Sequence, residues 1–176
     1  CDAPFLSEVG KRHQDAIDRV AVPVEEVCAC ARILVGHDGA VFCCFRCQGD
    51  STDAGPAQEV VREIKAAGGE AVACTESVAT PEGGKAVIQS ALDNYRRIDI
   101  LIHNAGIVRR GSLKELSYDD FELVLDVHLR GGFHVVRPAF PLMCKAGYGR
   151  IVLTGSINGL YGNCNVVNYS VAKAGL

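Results

Sequence analysis

From residue 53 onward the chain alternates short apolar runs with stretches of helical period, and no other feature constrains its fold as much. Residues 53–67 read as a helix. Pro56 suits the first turn, Val60, Val61, Ile64 and Ala67 make one apolar stripe, and Gly68-Gly69 ends it. Residues 70–74 read as a short strand. Residues 81–95 read as a second helix, with Ala86 or Val87, Ala91 and Tyr95 on one side. Residues 98–102 are almost continuously apolar, as in a strand buried on both faces. Residues 118–144 carry a long helical pattern through Phe121, Val124, Leu125, Val135 and Val136, and Pro138 and Pro141 are expected to break or kink its end. Residues 151–154 form another apolar run. A Gly- and Asn-rich loop follows, and a last helix starts near Asn168. Strands alternating with helices predict an α/β fold, a parallel sheet with helices on both faces and right-handed crossovers. Such sheets bind ligands at the carboxyl ends of their strands. The distinctive polar residues fall there, just after Ile102 and just after Leu153.

Residues 1–47 do not share this rhythm. Residues 31–35 and 40–45 suit a hairpin around Asp38-Gly39. Cys1, Cys28, Cys30, Cys43, Cys44 and Cys47 crowd this part, against Cys74, Cys144 and Cys164 elsewhere. An odd total of nine at irregular spacing argues for reduced thiols inside a cell rather than a disulfide framework. Cys28, Cys30, His37, Cys44 and Cys47 offer enough ligands for a metal, but their spacing matches no standard zinc module, and no metal site is expected. The division expected is a Cys-rich segment of unassigned fold over 1–48 and a partial α/β domain over 49–176. With 176 residues, the chain suffices for about one domain with a sizeable core. Its net charge of −3 and the lack of a basic cluster argue against nucleic acid or an anionic membrane as partner. No apolar run approaches a membrane span, and the N-terminus has no signal-peptide pattern.

Tyr169-Ser-Val-Ala-Lys173 carries the strongest chemical signal. On a helix, positions i and i+4 share a face. A lysine ammonium favours the phenolate of a neighbouring tyrosine, and a tyrosine so tuned exchanges a proton near neutral pH. A surface helix with an ordinary Tyr and Lys has the same spelling. Ser156, thirteen residues earlier at a strand end, is placed to bond a substrate oxygen and turn it toward Tyr169. His103-Asn104-Ala105-Gly106 follows the buried strand directly. Its small residues admit a flat ligand close to the backbone, or simply make a tight turn. Asn104 is suited to hold neighbouring strands or a ribose.

With HNAG after a strand, Ser156 and YSVAK, the chain resembles the short-chain dehydrogenase/reductases. The stretches DVHLRGGFHVVRPAF and YGRIVLTGSINGLYGNCNVVNYSVAKAGL, with DAGPAQEVVREIKAAGGEAVACTESVATPEGG, are similar to one subgroup in particular. That subgroup comprises the hydroxyacyl-CoA dehydrogenase part of the peroxisomal multifunctional enzymes of type 2 and its bacterial relatives. The resemblance covers roughly residues 49–176. It implies a Rossmann-like doubly wound parallel sheet and reversible hydride transfer between a secondary alcohol or ketone and a nicotinamide dinucleotide, NAD first, with NADP left open. A 3-hydroxyacyl-CoA type of substrate is implied by the subgroup. Carried over residue by residue, Tyr169 is the general acid/base, Lys173 tunes it and binds the nicotinamide ribose, and Ser156 positions the substrate. Asn104, Ala105 and Gly106 lie along the cofactor, and Ser77 and Val78 contact the adenine. His128 stands where many members have an asparagine in a proton relay; relay and packing are equally open for it. The resemblance also implies a homodimer or homotetramer, in the cytoplasm or, in a eukaryote, the peroxisome.

The chain departs from this pattern at both ends. The family opens with a strand and a TGxxxGxG turn into a helix, whose glycines bring the backbone to the pyrophosphate. No such motif occurs, and Gly36-His-Asp-Gly39 has the wrong spacing. The acidic residue expected after the second strand is also missing, since Asp50 and Asp53 follow no clear strand. An altered N-terminal segment joined near Gln48 and a truncated C-terminus are the expectations. The alternative reading is a non-catalytic Rossmann-like module for binding or dimerisation.

Overall fold

A computed structural model describes residues 30–35, 40–45 and 55–176. In chain order the elements are β1 (Cys30–Val35), β2 (Ala40–Phe45), α1 (Gly55–Ala66), β3 (Glu70–Cys74), α2 (Pro81–Tyr95), β4 (Ile100–His103), α3 (Tyr118–Leu125), a π-helical turn (Asp126–Arg130), α4 (Gly131–Ala146), β5 (Arg150–Leu153), α5 (Ile157–Tyr161) and α6 (Val167–Gly175). The turn at Asp38-Gly39, the acidic candidates Asp50 and Asp53, and Cys28, His37 and Cys47 lie outside the described residues.

Five strands form one sheet in the order β3-β2-β1-β4-β5, and the fold is α/β and Rossmann-like. β2 pairs with β3, and β4 with β5, in parallel, each pair joined through helices as the alternating pattern predicts. β1 departs from the parallel arrangement: it runs antiparallel to both β2 and β4. The reason is the connection. Only four residues, 36–39, separate β1 from β2, whereas a parallel crossover takes a dozen residues or more. Ala31 lies opposite His103 and Leu34 opposite Ile100, so β1 ends at the edge of the sheet where β4 begins.

The helices are cut by local signals. Thr80 caps α2 by accepting from Gly83 N at 3.1 Å, Pro81 opens its first turn, and Ser117 caps α3 by accepting from Asp120 N at 3.0 Å. α2 and α4 pack on one face of the sheet. Val87, Ile88 and Ala91 from α2, Val135, Ala139 and Met143 from α4, and Leu101 from β4 form the main core. Ile151 joins it from β5, while its neighbour Val152 is turned to the opposite face and is half exposed.

Pro138 and Pro141 do not end the long helix. Both lie inside α4, which runs on to Ala146 and closes at Gly147 with φ 68°. The stripe Val135, Ala139, Met143 recurs every four residues and holds α4 against the core, which offsets the two missing N–H groups. The pattern over 118–144 is also not one uniform helix. At the π-helical turn Gly131 N donates to Asp126 O, five residues back, and the phase of the apolar face shifts. A second apolar cluster of Ile107, Val124 and Ala172, with Leu125, Leu129 and Tyr169 around it, seats α6 on α3 and this turn.

Candidate active site

The carboxyl ends of β4 and β5, the π-helical turn and α6 meet at one place. Lys173 comes to it from α6, buried, and its ammonium donates to the carbonyl of Thr154 just past β5. Thr154 N in turn donates to His103 O at 3.0 Å, continuing the ladder between the two strands. Nζ of Lys173 stands 5.7 Å from the centroid of the Tyr169 ring. The expectation that Tyr169 and Lys173 share a helix face is met in α6. Asn168, fully buried, fixes the start of this helix. Its Nδ2 donates to the carbonyls of Arg109 (3.1 Å) and Asp120 (3.2 Å), and its Oδ1 accepts from Tyr169 N at 2.8 Å.

His128 reaches the same place from the π-helical turn. Its ring meets that of Tyr169 edge-on, with centroids 5.1 Å apart and planes at 89°. Its Nε2 lies 2.9 Å from Ile107 N and 2.8 Å from Ile107 O, two contacts that call for opposite tautomers. Gly106 leaves the room for it: a Cβ there would stand 2.1 Å from His128 Cε1. Burial pushes the His128 imidazole down from 6.5 to about 4, the Ile107 carbonyl opposes this, and the Lys173 and His103 charges add to it. Burial also lowers the Lys173 ammonium. His103 is lowered by burial against the raising effect of the His128 carbonyl, with Lys173 adding to the fall. The site is thus a buried cluster in which both imidazoles are neutral at neutral pH.

The remaining sequence candidates lie around this cluster. Ser156 is half-buried and caps α5, its Oγ accepting from Asn158 N at 3.2 Å. α5 packs directly on α6: a Cβ on Gly159 would stand 2.7 Å from the Lys173 carbonyl carbon. Asn104, Ala105 and Gly106 leave β4 toward His128. Ser77 and Val78 follow β3 beyond Cys74. Ser77 Oγ accepts from Ala79 N at 3.3 Å, Val78 is buried, and its carbonyl lies 3.0 Å from His134 Nδ1. Arg109 faces Asp120 at 3.5 Å. Sequence reasoning missed Asn168 and the Thr154 carbonyl. Asn168 had a local signal, a short polar residue at a helix start; a backbone carbonyl has none.

The family model of the short chain dehydrogenases matches residues 29–176, and the chain belongs to that family of oxidoreductases. Among its relatives is the peroxisomal multifunctional enzyme type 2 of Drosophila melanogaster, 50% identical over 128 residues, which are 73% of this chain and 21% of that protein. A short-chain type dehydrogenase/reductase of Mycobacterium tuberculosis is 45% identical over 129 residues, 72% of this chain and 45% of that one. The crystal structure of a short chain dehydrogenase from Mycobacterium avium matches with a TM-score of 0.64 at 44% identity, covering 68% of this chain and 44% of the other. The chain spans less than half the length of each of these relatives.

Members of this family use a nicotinamide dinucleotide. For its nicotinamide ribose, the residues after β4 and the buried Lys173 are of the right kind and share one end of the sheet. For its pyrophosphate the described residues offer no match. β1 ends beside the start of β4, so the chain leaves β1 at the opposite edge of the sheet from Asn104, Tyr169 and Lys173. Among the described elements no helix follows β1 directly either, because the next one is β2, paired antiparallel with it. No helix among the described residues is long and apolar enough to cross a membrane.

Proposed function

We propose that this chain carries the acid–base part of an oxidoreductase site that interconverts a secondary alcohol and a ketone. A 3-hydroxyacyl-CoA type of compound is the proposed substrate and NAD the proposed nicotinamide. The observation that carries this is the buried Lys173, bonded at the end of β5 and standing against the face of Tyr169. Tyr169 takes the proton from the substrate hydroxyl in oxidation and returns it to the carbonyl oxygen in reduction. Lys173 supplies the neighbouring positive charge. Ser156 orients the substrate oxygen, and His128 relays the proton or holds the ring of Tyr169 in place. Asn104, Ala105, Gly106 and Lys173 are the residues that would hold the nicotinamide ribose, with Ser77 and Val78 nearer the adenine. A bound nicotinamide supplies the hydride acceptor. The likeness to the peroxisomal multifunctional enzyme supports the choice of substrate class. A homodimer or homotetramer in the cytoplasm, or in a peroxisome, completes the reading.

The test is NADH formation from a 3-hydroxyacyl-CoA by the chain and by Tyr169→Phe. Loss of an acid–base residue typically lowers kcat by about 10²- to 10⁴-fold. Equal rates in both proteins would overturn the assignment of Tyr169.

The direction of β1 favours a second reading, a non-catalytic binding or dimerisation module. Thermal unfolding separates the two. A ligand at about 100 times its Kd stabilises the folded state by about 2.7 kcal/mol. A melting temperature indifferent to NAD and NADH, with a dimeric mass, would favour the module.

A further inference from the structure

His103 is the last residue of β4 and lies on the same sheet face as Leu101, in the core. It is only 1% exposed. A polar ring in such a position needs a partner, because burying it unpaired costs free energy. Its partner is a main-chain group of the π-helical turn: His103 Nε2 lies 2.8 Å from the carbonyl oxygen of His128. A carbonyl only accepts, so Nε2 carries the proton and Nδ1 does not.

The sequence makes room for this contact. Gly131 and Gly132 directly follow the turn. A Cβ on Gly132 would stand 3.2 Å from His103 Cδ2, and one on Gly131 would stand 3.4 Å from its Cε1. The imidazole occupies the notch that these two residues leave. Three independent features therefore coincide: a histidine at a core position of a strand end, two glycines opposite it, and a helical turn that offers a carbonyl. That carbonyl belongs to the residue whose ring meets Tyr169 edge-on.

We propose that His103 is a positioning residue for the site. By holding the main chain of His128, it sets where the His128 ring stands between Ile107 and Tyr169. This rests on the proposed reading of Tyr169 and His128 as site residues. Packing alone would require the shape of the ring at position 103; positioning requires its N–H.

The test uses the 176-residue chain with ¹⁵N-labelled histidine and ¹³C-labelled tyrosine, read by NMR at pH 7 without any ligand. Unmodified protein should show His103 as the neutral tautomer protonated at Nε2. His103→Phe keeps a ring but no donor, and should shift the His128 imidazole and Tyr169 signals. His103→Gln places an amide N–H at similar reach and should return both toward their original positions. A tautomer protonated at Nδ1 in the unmodified protein overturns the proposal. So does a Phe variant whose His128 and Tyr169 signals are unchanged. If the Phe variant does not fold, the unmodified tautomer and the Gln variant decide. A Gln variant with displaced His128 signals then counts against the proposal. In the enzymatic assay the Phe variant should lose up to about a hundredfold in kcat with little change in KM, as for a misplaced reacting group. Failure of the oxidoreductase reading alone would appear as no turnover in any variant, while the Phe variant still shifts the His128 and Tyr169 signals and the Gln variant still restores them.

Discussion

Acid should destabilise this fold through His128 at a pH where few carboxylates have titrated. The unfolded imidazole binds its proton near 6.5, and the folded one resists until about 4 because the ring is buried beside Lys173 and His103. Between these two values the unfolded state holds more protons. Stability therefore falls as pH falls, by about 1.4 kcal/mol for each pH step. From 6.5 down to about 4 this amounts to about 3 kcal/mol, and above 6.5 the contribution is fully present. His103 acts in the same direction, lowered chiefly by its burial. The assay is urea unfolding of the unmodified chain and of His128→Asn at steps from about pH 7 to about 4.5, the window set by the two values. Carboxylates common to both proteins cancel in the difference. The stability advantage of the unmodified chain should shrink steadily across that range. Two curves that run parallel would refute the claim that His128 is buried and neutral.

Three further outcomes are expected. Gly106→Ala drives a methyl into the His128 ring and should cost about 1–3 kcal/mol, seen as a lower denaturant midpoint at unchanged slope. Asn168→Ala removes the bonds to the carbonyls of Arg109 and Asp120 and takes from Tyr169 N its Asn168 acceptor; it should cost about 1–3 kcal/mol, with faster hydrogen exchange in the first turn of α6. Arg96 closes α2 with φ 63°, so Arg96→Gly should gain about 1 kcal/mol and raise Tm; a fall would contradict the left-handed cap.

What the sequence determined by itself is local. The span 81–95 of α2 was legible from Ala86 or Val87, Ala91 and Tyr95 on one side. β4 and β5 were legible as apolar runs to within two residues, and α6 to within one, because strand and helix periods are written in neighbouring residues. The pairing of Tyr169 with Lys173 was legible for the same reason, since a four-residue spacing means one helix face wherever the helix sits. The antiparallel pair of β1 and β2 was also legible, from the turn residues between them.

Other features were decided only by tertiary structure. Nothing local states that α4 carries Pro138 and Pro141 through to Ala146; the packing of Val135, Ala139 and Met143 against the sheet decides that. Nothing local states that β1 sits at the centre of the sheet, between β2 and β4, and runs against β4 as well as β2; the hairpin turn settles only the pairing with β2. The buried cluster of His103, His128 and Lys173 draws on three elements, and its members are up to seventy residues apart. Their neutral rings and lowered ammonium come from shared burial, a property of the assembled core that no single segment encodes.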